Sequence, residues 1–193
     1  MAKICFFIAY ALTPDPVLQS AIRNTSIQLA ADGHELIMGG MSGGNMELAG
    51  KTYLQAGGKA ATIIYPEEYA AYEETFQHPN LAHVRMPNLH QRLEGMISTA
   101  DAFIAFPGGM GTLHEIAQVI ADNQACTYHT GTTRKVKPQV IFNYNGYFNS
   151  LIDQYDRAHA EGNIKSEHME LLRYTNNRAD ILPMIEKLLN QTA

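Results

Sequence analysis

Short apolar runs alternate along the chain with longer stretches in which apolar residues recur at helical spacing. The short runs predict buried strands, because parallel strands that are covered on both faces are apolar throughout. These predicted strands lie at 3–10, 35–38, 59–65, 81–86, 102–106, 139–143 and 171–175. The longer stretches predict helices at 17–31, 46–55, 88–100, 112–125, 148–161 and 179–189. The polar stretch 66–80 predicts a surface loop with at most one helical turn, and stretch 127–137 predicts a mobile loop.

Strands that alternate with helices in this way predict an α/β fold. We expect a single doubly wound, Rossmann-like domain over residues 1–193, with a mostly parallel sheet and helices on both faces. Ligands of such sheets bind beyond the carboxyl ends of the strands. Two glycine-rich turns, at 39–45 and 107–111, follow predicted strands. Both turns therefore leave carboxyl ends, and the sequence predicts that they converge on one site.

The second glycine-rich turn reads PGGMGTLHE at residues 107–115 and leads directly into a predicted helix. Unpaired amides and the positive end of the dipole at a helix start favour an anion, usually a phosphate. The glycines let a ligand approach the backbone closely. The pattern is neither the dinucleotide fingerprint nor a P-loop, which favours a mononucleotide over NAD or ATP. We expect substrate contacts from Gly108, Gly109, Met110, Gly111 and Thr112, joined by Ser42, Gly43 and Gly44 of the first turn.

Glu115, at the end of this stretch, has two interpretations. Its spacing from Thr112 matches a capping box, in which the glutamate reaches back to the amide of the cap residue. A helical side chain also leans toward the helix N-terminus, so Glu115 points at whatever the turn holds. A phosphate there would repel the carboxylate unless a cation lies beside them, and Arg92 on the preceding helix is the candidate. His90, close to Arg92 in the sequence, either lines the same pocket or is a surface histidine.

Composition and charge narrow the function classes. Hydrophobic residues make up 46% of the 193 residues and charged residues 17%, which is ordinary for a globular protein. A net charge of -5 without a long basic block argues against nucleic acid as a partner. The sequence predicts no metal site, because its two cysteines, Cys5 and Cys126, are far apart and its histidines form no H-E-x-x-H motif. The first apolar run is too short for a membrane span and lacks a cleavage site, so we expect a cytoplasmic protein without a membrane partner.

The stretch at 107–115 resembles the LOG ("Lonely Guy") family of cytokinin-activating phosphoribohydrolases, which were long labelled lysine decarboxylases. The family's P-G-G-x-G-T-x-x-E motif is matched in full there, and its M-H-x-R-K motif is matched in part at 89–93. The resemblance covers nearly the whole chain. It implies a homodimer that cleaves the N-glycosidic bond of a nucleoside 5′-monophosphate, AMP or an N6-modified AMP, without a cofactor. It also implies that Arg92 and Glu115 are the catalytic pair.

The chain departs from the family pattern at several positions. Leu93 stands where the second motif has a lysine, which removes a positive charge near the predicted phosphate. The segment 8–11 reads Ile-Ala-Tyr-Ala where the family has a small Cys-Gly-Ser-Ser turn, Glu47 replaces a glycine, and the chain has no tryptophan. These departures leave the base unassigned. They motivate an alternative function, a nucleotide-binding module that acts as a sensor or carrier without turnover.

Overall fold

The computed structural model describes residues 1–128 and 135–192. Within these residues, seven strands form one sheet. In chain order the strands are β1 (Lys3–Phe7), β2 (Glu35–Met38), β3 (Ala61–Pro66), β4 (Leu81–Met86), β5 (Ala102–Ala105), β6 (Gln139–Phe142) and β7 (Arg173–Thr175). All neighbours pair in parallel, and the order across the sheet is β4-β3-β2-β1-β5-β6-β7. The predicted α/β class with a parallel sheet is confirmed.

Helices cover both faces of this sheet. In chain order they are α1 (Pro16–Ala31), α2 (Gly44–Gln55), α3 (Ala70–Glu73), α4 (Leu89–Thr99), α5 (Met110–Tyr128), α6 (Asn149–Ala160), α7 (Ser166–Met169) and α8 (Ile181–Thr192). Helices α1, α2 and α8 pack against one face, and α4, α5 and α6 pack against the other. The predicted doubly wound arrangement is therefore confirmed. In the described part of the chain, no helix has the length and apolar character needed to cross a membrane.

The side chains of each strand are divided between the two faces. In β1, Ile4 and Phe6 belong to the core beneath α1, α2 and α8, whereas Cys5 and Phe7 belong to the core beneath α4, α5 and α6. Successive side chains of a strand point to opposite faces, so a strand buried on both faces must be apolar at every position. This burial explains why the strands appear in the sequence as continuous apolar runs.

The strand order reverses direction between β1 and β5. The chain moves outward from β1 through β2 and β3 to β4, and then returns to place β5 on the other side of β1. Phe7 at the end of β1 lies in register with Ala105 at the end of β5. The connections that follow these two strands diverge to opposite faces, which opens a crevice at the carboxyl edge of the sheet. Both predicted glycine turns border this crevice.

Helix α5 begins two residues earlier than the sequence predicted. Its first backbone bond runs from the amide of Leu113 to the carbonyl of Gly109, so Gly109 is the cap residue. Thr112 therefore lies inside the first turn and cannot act as the cap of a capping box. The capping-box interpretation of Glu115 is wrong for this reason. Helix α5 also extends to Tyr128, and residues 129–134 of the predicted loop at 127–137 lie outside the described residues.

The stretch 66–80 is more ordered than the predicted surface loop. A 3₁₀ turn at Glu67–Tyr69 leads into the short helix α3. Ala70 and Glu73 of α3 are buried, at 8% and 7% exposure. A glutamate in a polar stretch is normally solvated, and its burial here follows from contacts with a segment more than thirty residues earlier in the chain. The helical turn that the prediction allowed is present as α3, and what the prediction missed is the burial of Ala70 and Glu73.

Candidate functional site

A cavity of about 640 Å³ lies at the crevice between the carboxyl ends of β1 and β5. Its walls come from the segment after β1, the turn after β2, the region of α3, and the first turns of α4 and α5. Such a volume lies within the range of pockets that bind small molecules. The position agrees with the expectation that ligands of doubly wound sheets bind where the strand order reverses.

Arg92 and Glu115 meet in this cavity. Nη2 of Arg92 lies 3.4 Å from Oε1 of Glu115, and the two side chains are only 13% and 8% exposed. Nε of Arg92 donates a hydrogen bond to the carbonyl oxygen of Gly39 at 3.1 Å. A Cβ atom at position 39 would lie 1.5 Å from Nη2 of Arg92, so only glycine leaves room for the guanidinium. The turn after β2 therefore positions the cation, and the cation reaches across to α5.

The carboxyl group of Glu115 titrates near neutrality. Burial raises its pKa from 4.5 to about 7, while the Arg92 guanidinium acts in the opposite direction. Burial together with the nearby Glu115 also raises the pKa of the Cys5 thiol, which keeps that group neutral. A carboxyl group with a pKa near the working pH can both accept and donate a proton, which suits general acid–base catalysis.

The first turn of α5 presents its backbone to the same cavity. Gly109, Gly111 and Thr112 line the cavity, and a Cβ built at either glycine would meet no atom within 4 Å. The amides at this helix start form no bonds within the helix, so they are available to an anion. Gly108 has a different environment, because its carbonyl accepts a hydrogen bond from the hydroxyl of Tyr147 at 2.8 Å.

The first glycine turn contacts the cavity at fewer positions than predicted. Ser42 lines the cavity and donates a hydrogen bond from Oγ to Oε1 of Glu73 at 2.8 Å. Gly43 and Gly44 lie instead against the segment after β1, where a Cβ at position 44 would lie 1.6 Å from the carbonyl oxygen of Tyr10. These two glycines therefore support the cavity wall and do not line it.

Two further predicted contacts lie outside the cavity lining. Gly108 contacts Thr112 and Tyr147, and the Met110 side chain is 83% exposed. Neither residue belongs to the cavity lining, so the geometry supports only Gly109, Gly111 and Thr112 of the five predicted contacts in this turn.

Comparison with known proteins identifies the family of the chain. A family model described as possible lysine decarboxylase matches residues 46–185. This chain belongs to that family, the LOG family. A probable cytokinin riboside 5′-monophosphate phosphoribohydrolase of Oryza sativa subsp. japonica is 30% identical to it over 183 residues, which are 93% of this chain and 74% of that protein. A cytokinin riboside 5′-monophosphate phosphoribohydrolase of Arabidopsis thaliana is 30% identical over 186 residues, which are 96% of this chain and 81% of that protein.

Solved structures share the fold at lower sequence identity. The molybdenum cofactor carrier protein from Chlamydomonas reinhardtii superposes with a TM-score of 0.70 at 17% identity, and the match covers 98% of each chain. This likeness shows the doubly wound fold.

The LOG motif on α4 is divided between two cavities. Leu89 and Arg92 line the cavity described above, whereas His90 and Leu93 line a second cavity of about 390 Å³ between α4 and α5. His90 is exposed and does not line the cavity of Arg92, so the geometry agrees with the surface alternative and does not support the predicted substrate contact. Leu93 is buried on the same side as His90, so the geometry does not support the predicted loss of a positive charge beside the phosphate.

The part of the site that comes from the region of α3 was not predicted from the sequence. Tyr69, Tyr72 and Glu73 line the cavity from the region of α3, and the two tyrosines are 43% and 68% exposed. The tyrosines recur three residues apart within an otherwise polar stretch, which is a weak sign of one helical turn with an aromatic side. Nothing local indicates that Glu73 is buried.

The composition of the site also bears on metals and cofactors. In residues 1–128 and 135–192, no three histidine, cysteine, aspartate or glutamate side chains cluster as metal ligands would. Among the described residues that line the cavity, none is a lysine that could form a Schiff base with PLP, which a lysine decarboxylase needs. The description of the family as a possible lysine decarboxylase therefore finds no support in this site.

Proposed function

We propose that this LOG-family protein hydrolyses the N-glycosidic bond of a nucleoside 5′-monophosphate, releasing the free base and ribose 5-phosphate. AMP or an N6-modified AMP is the proposed substrate. The observation that carries the proposal is the buried pair of Arg92 and Glu115 beside the open first turn of α5. The names of its relatives, which are phosphoribohydrolases of cytokinin riboside 5′-monophosphates, support the same reaction.

The geometry suggests how the substrate lies. The phosphate binds the amides at Gly109 and Gly111, with the Thr112 hydroxyl beside them. Because a helical side chain leans toward the helix N-terminus, Glu115 then faces the ribose. The Arg92 guanidinium lies against Glu115 and offsets the repulsion between the phosphate and the carboxylate. The base extends toward the aromatic wall that Tyr69 and Tyr72 provide.

The reaction breaks the bond between C1′ of the ribose and the base nitrogen. The base leaves with the bonding electron pair, positive charge develops on the sugar ring, and a water oxygen bonds to C1′. The Glu115 carboxylate stabilises that charge or takes the proton of the attacking water, and the base nitrogen gains a proton. The reaction consumes water and uses no cofactor.

We further propose that the protein is cytoplasmic and acts as a homodimer. Light scattering of the purified protein tests the homodimer.

A panel of purine, pyrimidine and N6-modified nucleoside 5′-monophosphates tests the reaction, with released base measured by liquid chromatography. Glu115→Gln should lower the rate of base release by roughly 10²- to 10⁴-fold while nucleotide binding is kept or improved. Glu94→Gln is the matched control, because Glu94 is an exposed glutamate on α4 that lines the second cavity.

The same panel distinguishes the proposed enzyme from a nucleotide-binding module. Nucleotide binding by the wild-type protein without release of any base would support a sensor or carrier. In that case Glu115→Gln would change affinity alone.

A further inference from the structure

Glu73 is a buried carboxylate that reaches across the chain to the turn after β2. It is 7% exposed, although its neighbours on α3 are mostly exposed. Its Oε2 accepts a hydrogen bond from the amide of Met41 at 2.6 Å, and its Oε1 accepts one from the hydroxyl of Ser42 at 2.8 Å. In the described part of the chain, no lysine or arginine forms an ion pair with this carboxylate. Burial of a charge costs free energy, and the two short hydrogen bonds from the turn after β2 offset that cost for Glu73.

The turn that Glu73 binds is shaped around it. Gly40 has a φ of +151°, a backbone conformation that residues with a Cβ rarely adopt. A Cβ at position 40 would also lie 2.5 Å from Oε1 of Glu73. The preceding residue, Gly39, is the one whose carbonyl holds Arg92 and whose missing Cβ leaves room for the guanidinium. Two consecutive glycines thus receive one carboxylate and one guanidinium on a single turn.

We propose that Glu73 is a positioning residue for the reaction, because it fixes the turn after β2 in the shape that holds the Arg92 guanidinium against Glu115. The series of contacts runs from Glu73 to Met41 and Ser42, from Gly39 to Arg92, and from Arg92 to Glu115. The proposal rests on the proposed function for its catalytic meaning. Its structural content, the placement of Arg92, can be measured without turnover.

The titration of Glu115 reports where Arg92 lies. Burial raises the pKa of this carboxyl group and Arg92 from α4 lowers it, while the neutral Cys5 thiol of β1 lies near it and the Glu73 carboxylate lines the same cavity. Removal of the Glu73 charge by itself would lower the pKa of Glu115, because two carboxylates repel each other. Displacement of Arg92 would raise that pKa, because the guanidinium stabilises the ionised form. The sign of the change therefore separates direct repulsion from positioning.

The experiment follows the Glu115 carboxyl carbon by ¹³C NMR across pH, with Glu115→Gln to assign the signal. Glu73→Ala should raise the pKa of Glu115 above its wild-type value of about 7. Ser42→Ala changes no charge and should also raise the pKa of Glu115, by less than Glu73→Ala does. Glu73→Gln keeps one acceptor oxygen and should lie between Glu73→Ala and the wild type. If Glu73→Ala does not fold, Ser42→Ala and Glu73→Gln still provide the test.

Kinetics with the best nucleotide of the panel give a second measurement. Glu73→Ala should reduce kcat by roughly 10- to 100-fold, as a small displacement of a catalytic group does. Glu74→Gln is the matched control, because Glu74 is the adjacent residue and pairs with Arg85 outside the cavity. Glu74→Gln should weaken the ion pair with Arg85 and lower the melting temperature, without a change in kcat or in the pKa of Glu115.

The outcomes keep the two proposals distinct. An unchanged or lowered pKa of Glu115 in both Glu73→Ala and Ser42→Ala overturns the positioning role, whatever the activity. Absence of turnover in the wild-type protein overturns the proposed reaction, while a raised pKa in the variants would still establish that Glu73 positions Arg92.

Discussion

The two glycine turns at the carboxyl edge of the sheet look alike in sequence and have opposite surroundings. In the turn after β2, the spaces left by Gly39, Gly40 and Gly44 are taken by Arg92, Glu73 and the backbone of Tyr10. In the turn after β5, Gly109 and Gly111 have no neighbouring atom within 4 Å of a Cβ position. The protein's own groups therefore occupy the space beside the glycines of the first turn, whereas the space beside Gly109 and Gly111 is open, and the proposed function assigns that space to a ligand.

This difference gives the two turns different roles in the proposed site. Under the proposed function, the turn after β2 holds the side chains that act on the reaction, and the first turn of α5 presents its backbone amides to the substrate. Arg92 connects the two turns, because its guanidinium contacts Gly39 on one side and Glu115 on the other. Substitution of glycines in the two turns should therefore have distinct consequences, in catalysis for the first and in binding for the second.

Gly39→Ala should have the largest effect. The new methyl group would lie 1.5 Å from Nη2 of Arg92, so the guanidinium must leave its place against Glu115. We expect base release to fall by roughly 10³-fold, as after the loss of a charge-stabilising group. Steady-state kinetics and a double-mutant cycle with Arg92→Ala provide the measurement. Because Arg92→Ala removes the clashing atoms, Gly39→Ala should cost much less stability in that background, and equal costs would contradict the assigned contact.

The pH dependence of stability should report the burial of Glu115. Its pKa is about 7 in the folded protein and 4.5 as the ordinary value, so the folded state binds the proton more tightly. The stability that this group contributes is complete below pH 4.5 and is lost as the pH rises through about 7, by roughly 3 kcal/mol in total. Glu115→Gln removes this loss, so the variant should become more stable than the wild type as the pH rises. Urea unfolding at pH 5 and pH 8 checks the prediction, and parallel pH curves for the two proteins would contradict it.

Gly111→Ala should separate stability from binding in the second turn. The residue lies in the first turn of α5 with open space around it, so alanine should raise the free energy of unfolding by roughly 0.5 to 1 kcal/mol. The same methyl group would face the phosphate, so KM should rise while kcat changes little. Thermal unfolding and steady-state kinetics measure the two effects. A stabilised variant with unchanged KM would place the phosphate elsewhere.

Tyr147→Phe should have the smallest effect. It removes the hydrogen bond from the Tyr147 hydroxyl to the carbonyl of Gly108, on a side chain that is 55% exposed. We expect a loss of about 0.5 kcal/mol in stability and a slight increase in KM, because the turn that carries Gly109 becomes less rigid. Urea unfolding measures the first effect, and a stability equal to that of the wild type would show that water replaces the bond.

Much of the fold followed from local patterns. The apolar runs and helical spacings located the strands and the main helices, with errors of a few residues at their ends. The first strand, for example, was predicted to continue to Tyr10 and ends at Phe7, because the following residues turn away to form the cavity wall. The pairing of Arg92 with Glu115 was also predicted, because a phosphate beside the carboxylate needs a cation and because the LOG resemblance implies this pair.

The separation of His90 from Arg92 had a signal in the sequence. Residues two apart on a helix point about 200° away from each other, so His90 and Arg92 could not share one pocket. Leu89 and Arg92, three apart, lie on one side and line the same cavity. Helical geometry would therefore have divided the motif correctly.

What the sequence alone determined is the strands, the main helices and the edge at which they form a site, because hydrophobic periodicity and glycine turns act over a few neighbouring residues. Only the tertiary structure decided what each glycine turn receives. Glu73 lies 32 positions after Met41, and Arg92 lies 53 after Gly39. No local pattern encodes such contacts, because they form only when the sheet brings distant segments together. The same assembly buries Glu115 deeply enough to move its pKa to about 7.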